Sequence, residues 1–146
     1  MVDNNKIMSK DGLVEVKPYI TRHVDHIDNL SDYDILQKYI LNNLILDIGD
    51  FLPDCVHVIK SHTERFHLLW NGSMKAEIRT RDTDKPYKEN DICVMIDGFN
   101  DMGTWVCSGN ILLVRISHID TFSMPDQYSV LLNYDVVCKI RLLINK

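Results

Sequence analysis

A chain of 146 residues, 45% hydrophobic and 25% charged, has the composition of one ordinary globular domain with room for an appendage. Its net charge of −5 argues against promiscuous, phosphate-driven binding of nucleic acid but leaves space for a local basic groove. The longest apolar runs, such as "ILLV" and "VMI", are too short to span a membrane, and the polar start "MVDNNKIMSKDG" does not read as a signal peptide, so a cytoplasmic location is expected.

Residues 1–30 are polar and irregular apart from "LVEVKPYI", where Pro18 suggests an edge strand or hairpin arm. An exposed edge there offers a route to a homodimer. From Ser31, the apolar positions Ile35, Leu36, Tyr39, Ile40 and Leu44 recur at helical spacing, with Ser31 or Asp32 as cap and Gly49 and Pro53 as stops. The spacing predicts a helix over about 32–47, apolar on a wide side. Residues 1–54 read as an N-terminal extension, followed by a second unit over 55–146.

That unit opens with "CVHVIK", which alternates as a strand does, and continues as a short helix in "SHTERFHLLWNG". Ser61 and Glu64 have capping-box spacing, and Gly72 marks the helix end. In "SMKAEIRT" the apolar Met74, Ala76 and Ile78 alternate with Lys75, Glu77 and Arg79, so the three charges share one strand face. After a polar loop, "DICVMID", "TWVCSGN" and "ILLVRISHI" read as sheet, with "GFNDMG" as a hairpin turn. "YSVLLNYDVVCKIRLLI" is one long strand, or two with a bend, or a strand ending in a helix. The order points to a compact α+β domain, a small curled antiparallel sheet or barrel carrying helices at one end. Cys55, Cys93, Cys107 and Cys138 have no CxxC spacing and sit among apolar neighbours, as buried free thiols do.

The string "HVIK", a helix ending in "LWNG", then "AEIR", "TRD", Tyr87 and "END" resembles the ASCH domains of the PUA-like superfamily, and more nearly an uncharacterised ASCH-related family of bacteriophages. The likeness covers roughly residues 55–134. It implies a PUA-like β-barrel with a cleft beside the "E-x-R" strand that receives a base or nucleotide, and RNA as the usual partner. Some ASCH proteins hydrolyse acetylated cytidine with a lysine, a threonine and a glutamate. Met74 and Glu77 stand where the lysine and threonine belong, and Met74 cannot move a proton. The sequence departs further in "GSMKAE", "END" and "TRDTD".

The candidate site residues are therefore Lys60, Lys75, Glu77, Arg79, Arg81, Tyr87 and Trp105. Glu77 would accept from a base edge and Arg79 would offer a planar fork to a phosphate or carbonyl. Lys60 and Arg81 would hold phosphate, with Arg65, Lys85 and Lys88 as further basic positions. Tyr87 or Trp105 would stack, while Trp70 belongs to the core. The competing structural reading is a solvated salt-bridge ladder. Histidine spacings such as His62 to His67 do not suit a metal site, and no cofactor is expected.

Three functions are compatible with these residues. The first is a non-catalytic RNA- or nucleotide-binding module of phage type. The second is an interaction protein gripping a host protein through the acidic run of Asp3, Asp11, Glu15, Asp25, Asp28, Asp32, Asp34, Asp47, Asp50 and Asp54. The third is a hydrolase of a modified nucleoside, with Lys75 and Glu77 as general base and partner.

Overall fold

The computed structural model describes residues 6–9, 12–25, 31–49, 51, 53–81, 84–121 and 128–144. Asp3, Asp11, His26, Asp28, Asp50 and Asp82, singled out in the sequence, lie outside the described residues. Among the described residues, eight strands and three short α-helices follow in the order β1 (Lys6–Ser9), β2 (Gly12–Glu15), β3 (Tyr19–Val24), α1 (Tyr33–Tyr39), α2 (Ile45–Ile48), β4 (Val56–His62), α3 (Thr63–Trp70), β5 (Ala76–Thr80), β6 (Ile92–Asp101), β7 (Thr104–Asp120) and β8 (Ser129–Ile144). The fold is mostly β and of the α+β class. Among the described residues, no helix is long and apolar enough to cross a membrane.

β1 and β2 form a two-stranded antiparallel sheet. The remaining strands make one open sheet in the order β3-β8-β7-β6-β4, with β5 also on β8. This sheet does not close into a barrel, since β3 and β4 stay at its two ends. Nor is it wholly antiparallel: β4 runs parallel to β6 and β3 parallel to β8. β5 takes residues 129–133 of β8 and β3 takes residues 139–144. β7 occupies the other edge of β8 throughout, so β5 and β3 lie one after the other along a single edge.

Each face of the sheet has its own core. Strand side chains alternate between faces, so Val56, Ile92, Val94, Ile96 and Ile111 meet Leu36, Ile40 and Leu44 from the helical segment on one side. Ile59, Cys93, Met95, Leu112, Leu132 and Tyr134 meet Phe66 and Leu69 of α3 on the other. Ile7 of β1, Val24 of β3 and Val16 just after β2 pack into the same core as α1.

The helix expected over 32–47 is present as α1, a π-helical turn over Ile40–Leu44, and α2. Asp32 caps it, accepting from the backbone N–H groups of Asp34 and Ile35 at 3.0 and 3.2 Å. At α3 the cap differs from the sequence reading. His62, not Ser61, is the N-cap residue, its ring Nδ1 accepting from the Glu64 N–H at 3.4 Å. β4 runs two residues further than the capping-box spacing suggests, so Ser61 is a buried strand residue. Gly72 ends the helix as expected, at φ +82° with its N–H donating to the Leu69 carbonyl.

"GFNDMG" is strand for most of its length. The turn is confined to Met102 and Gly103, both at positive φ (50° and 88°), with Asp101 paired to Thr104. "TWVCSGN" and "ILLVRISHI" are one strand, β7, and the long C-terminal run is strand throughout, with a register shift opposite Leu113 and Val114.

Candidate functional site: a buried carboxylate between α3 and β5

Glu77 pairs with Leu132 across β5 and β8, and Arg79 pairs with Val130. Register partners on neighbouring strands share a face. Val130 and Leu132 are buried under α3, so Glu77 and Arg79 also point at that core. The three charges share one face, as the alternation requires, but it is the inward face. Ile78 is 53% exposed while the Glu77 side chain is 2% exposed, reversing the polarity expected for this strand. The reason is tertiary: α3 and the β8 register decide which side of β5 is covered. Met74, ahead of the strand, still packs against the α3 core.

A buried carboxylate is costly unless its oxygens are partnered. Glu77 Oε1 accepts from the Tyr134 hydroxyl at 2.7 Å. Arg79 Nη1 stands 3.9 Å from the same oxygen, and Arg65 Nη1 of α3 stands 3.8 Å from Oε2. Both separations exceed hydrogen-bond length, and Oε2 accepts no hydrogen bond among the described residues. The Arg65 side chain is half-exposed and that of Arg79 about a quarter exposed, whereas the Glu77 side chain between them is buried. Burial and the Glu77 charge push the Tyr134 hydroxyl far above its ordinary pKa, keeping it a donor. Burial, then Glu77 and Asp91, push the Cys93 thiol up as well.

A second buried pair lies on the same side of the sheet. His57 Nε2 and Asp91 Oδ2 are 2.7 Å apart, each side chain 5% exposed. Asp91 also accepts from the Lys88 N–H at 3.1 Å. The Tyr87 ring packs on His57 at 4.7 Å between centroids, tilted by 43°.

The seven residues named from the sequence do not form one site. Glu77 and Arg79 come together, and Lys75 lies beside them on the inward face of the same segment, its carbonyl accepting from the Tyr134 N–H at 2.8 Å. Lys75 is not a partner of Glu77, so the base-and-partner pair of the hydrolase reading is not formed. Tyr87 is a packing residue over His57. Arg81 is exposed beyond the end of β5, its N–H donating to the Tyr128 carbonyl at 2.7 Å. Lys60 and Trp105 are on the opposite face. Lys60 Nζ lies 4.5 Å from the Tyr33 ring centroid and 5.8 Å from that of Trp105, and Tyr33 and Trp105 pack on the α1 core. Strand alternation separates Lys60 from Ile59, hence from the Glu77 side. Of the further basic positions, Lys85 donates to the Val56 carbonyl, while Arg65 joins the Glu77 cluster.

Tyr134 and Lys139 were not marked by the sequence. Their signal was the period of β8, in which Val130, Leu132 and Tyr134 alternate inward, but Tyr134 reads there as one more apolar residue. Among the described residues, no three His, Cys, Asp or Glu side chains converge in a way that would hold a metal ion.

Sheet, helix and carboxylate cluster together define a mostly β, α+β domain whose charged residues are clasped between one helix and one strand. The chain belongs to the family described as Domain of unknown function (DUF3850), which matches residues 56–132, more than half of its length. That span holds Arg65, Glu77, Arg79, His57 and Asp91, and stops just short of Tyr134. No curated protein matches the chain.

Proposed function

We propose that the protein is a non-catalytic RNA- or nucleotide-binding module that reads its ligand with Glu77 and Arg79. One observation carries the reading: a buried carboxylate with one oxygen held by Tyr134 and the other accepting no hydrogen bond among the described residues, flanked by two partly exposed arginine side chains. A carboxylate oxygen of that kind suits an exocyclic amine or imino edge of a base, and the guanidinium forks suit a phosphate or carbonyl. A solvated salt-bridge ladder would instead place Glu77 at the surface with its oxygens hydrated. The PUA-like resemblance, drawn on "HVIK", "AEIR" and "END", agrees with this choice of ligand, and a phage origin and cytoplasmic setting belong to the same proposal.

The test is fluorescence anisotropy of labelled single-stranded RNA, measured with wild type, Arg79→Ala and Glu77→Gln over a range of salt. The reading expects wild-type affinity to fall as salt rises and each variant to lose roughly 10- to 100-fold, the value of a hydrogen bond to a charged group. Binding that is indifferent to salt and to both substitutions would refute it.

A further inference from the structure

The edge of β8 has a gap. β5 ends its pairing with the Tyr134 N–H on the Lys75 carbonyl, and β3 begins with the Lys139 N–H on the Pro18 carbonyl, at 2.8 and 2.9 Å. Between these two bonds residues 135–138 have no register partner in β3 or β5, and a cavity of about 410 Å³ opens there. Its volume is within the range of small-molecule sites, roughly 300–1,000 Å³. Trp70 at the end of α3 and Tyr19 at the start of β3 supply aromatic walls, Tyr134 adjoins them, and Lys75 and Lys139 supply cations.

The charges there are not cancelled. Lys139 Nζ stands 5.5 Å from the Tyr19 ring centroid and 5.7 Å from that of Trp70, with no carboxylate on it among the described residues. The Lys75 ammonium has no ion pair among the described residues. The one acid in the lining, Asp135, is held at 2.6 Å by Arg115. In a chain of net charge −5, an ammonium group beside two aromatic rings, with a second lysine in the same lining, matches a flat ring that carries an anion. Tyr134 lines this cavity and also donates to Glu77, so the two places share one residue.

We infer that the gap between β3 and β5 is a phosphate-and-ring subsite for a nucleoside monophosphate unit, with the ring between Trp70 and Tyr19 and the phosphate on Lys75 and Lys139. This deepens the Glu77 reading and rests on it for the class of ligand. Two adjoining positions, one reading a base edge and one taking a ring and its phosphate, fit successive nucleotides of a single strand.

Trp70 fluorescence tests the inference in a Trp105→Phe background, with the loss of signal in Trp70→Phe as a check in the native background. Adenosine, adenosine monophosphate and inorganic phosphate are titrated into the protein and into its Lys75→Ala/Lys139→Ala variant, with circular dichroism confirming that each is folded. The inference expects the monophosphate to bind about tenfold more tightly than adenosine, the preference to vanish in the double variant, and inorganic phosphate to compete with the monophosphate. Equal binding of adenosine and its monophosphate, an unchanged preference in the double variant, or no response to any probe would overturn it. If adenosine binds and Glu77→Gln abolishes that binding while the phosphate adds nothing, the subsite falls and the Glu77 reading stands. If the phosphate preference holds and Glu77→Gln changes nothing, the Glu77 reading falls instead.

Discussion

Glu77 shows how far alternation carries and where it stops. Period two put Lys75, Glu77 and Arg79 on one face, and they are on one face. Which face is covered depends on α3 and on the Leu132 register, neither of which a window of eight residues contains. The Tyr134 hydroxyl is the short bond that keeps the buried carboxylate in place. Tyr134→Phe should cost about 1–3 kcal/mol, because it leaves Oε1 with only a distant guanidinium. Urea unfolding of the two proteins measures it, and equal midpoints would show the carboxylate to be satisfied without the hydroxyl.

The thiols give a second expectation. None of the four cysteines is bonded to another, and Cys93, Cys107 and Cys138 are buried as their apolar neighbours suggested, whereas Cys55, expected to be buried too, is half-buried. Burial pushes Cys107 from 9.0 up to about 11 and Cys138 from 9.0 up to about 12. An unfolded chain loses these protons near the ordinary value while the folded one keeps them. Their contribution is thus constant below about pH 9, and stability declines as pH rises from there towards 11 and 12. Urea midpoints taken between about pH 8 and about pH 10.5 should therefore fall more steeply for wild type than for Cys107→Ala/Cys138→Ala. Parallel slopes would remove the thiols from the pH dependence.

Helices and turns were legible wherever a local stop or cap decided them. Asp32 begins the first helix and Gly72 ends α3 for the reasons their residue types supply. The capping-box spacing of Ser61 and Glu64 misled because β4 continues pairing with β6 as far as His62, and a full ladder outweighs one cap. The β6–β7 turn was placed within "GFNDMG" but is tighter than that string. Met102 sits at φ 50° in a two-residue turn with its side chain fully exposed. Both turn positions need positive φ, which asparagine tolerates better than methionine. Met102→Asn should raise stability by about 0.5–1 kcal/mol without touching the core. A lower thermal midpoint for that variant would contradict the turn geometry.

Long-range pairing escaped the sequence altogether. β3 joins β8 from more than a hundred residues away, with Tyr19 beside Lys139, and β4 joins β6 in parallel. Neither pairing has a hairpin turn to announce it. Those two pairings split the candidate list, sending Lys60 and Trp105 to the α1 side and bringing Lys139 and Tyr19 round to Trp70. The basic groups that matter thus come from three separate stretches: Arg65 on α3, Lys75 and Arg79 around β5, and Lys139 on β8. Net charge concealed them, since the 21 acidic residues of the chain outnumber its 16 lysines and arginines.

Side-chain NMR on isotope-labelled protein, with and without single-stranded RNA, follows the atoms on which the binding account depends. The account predicts that the Glu77 carboxyl carbon and the Nε–H signals of Arg65 and Arg79 shift on addition of RNA, and that Glu77→Gln abolishes the arginine shifts. RNA that binds while all three signals stay in place would contradict it.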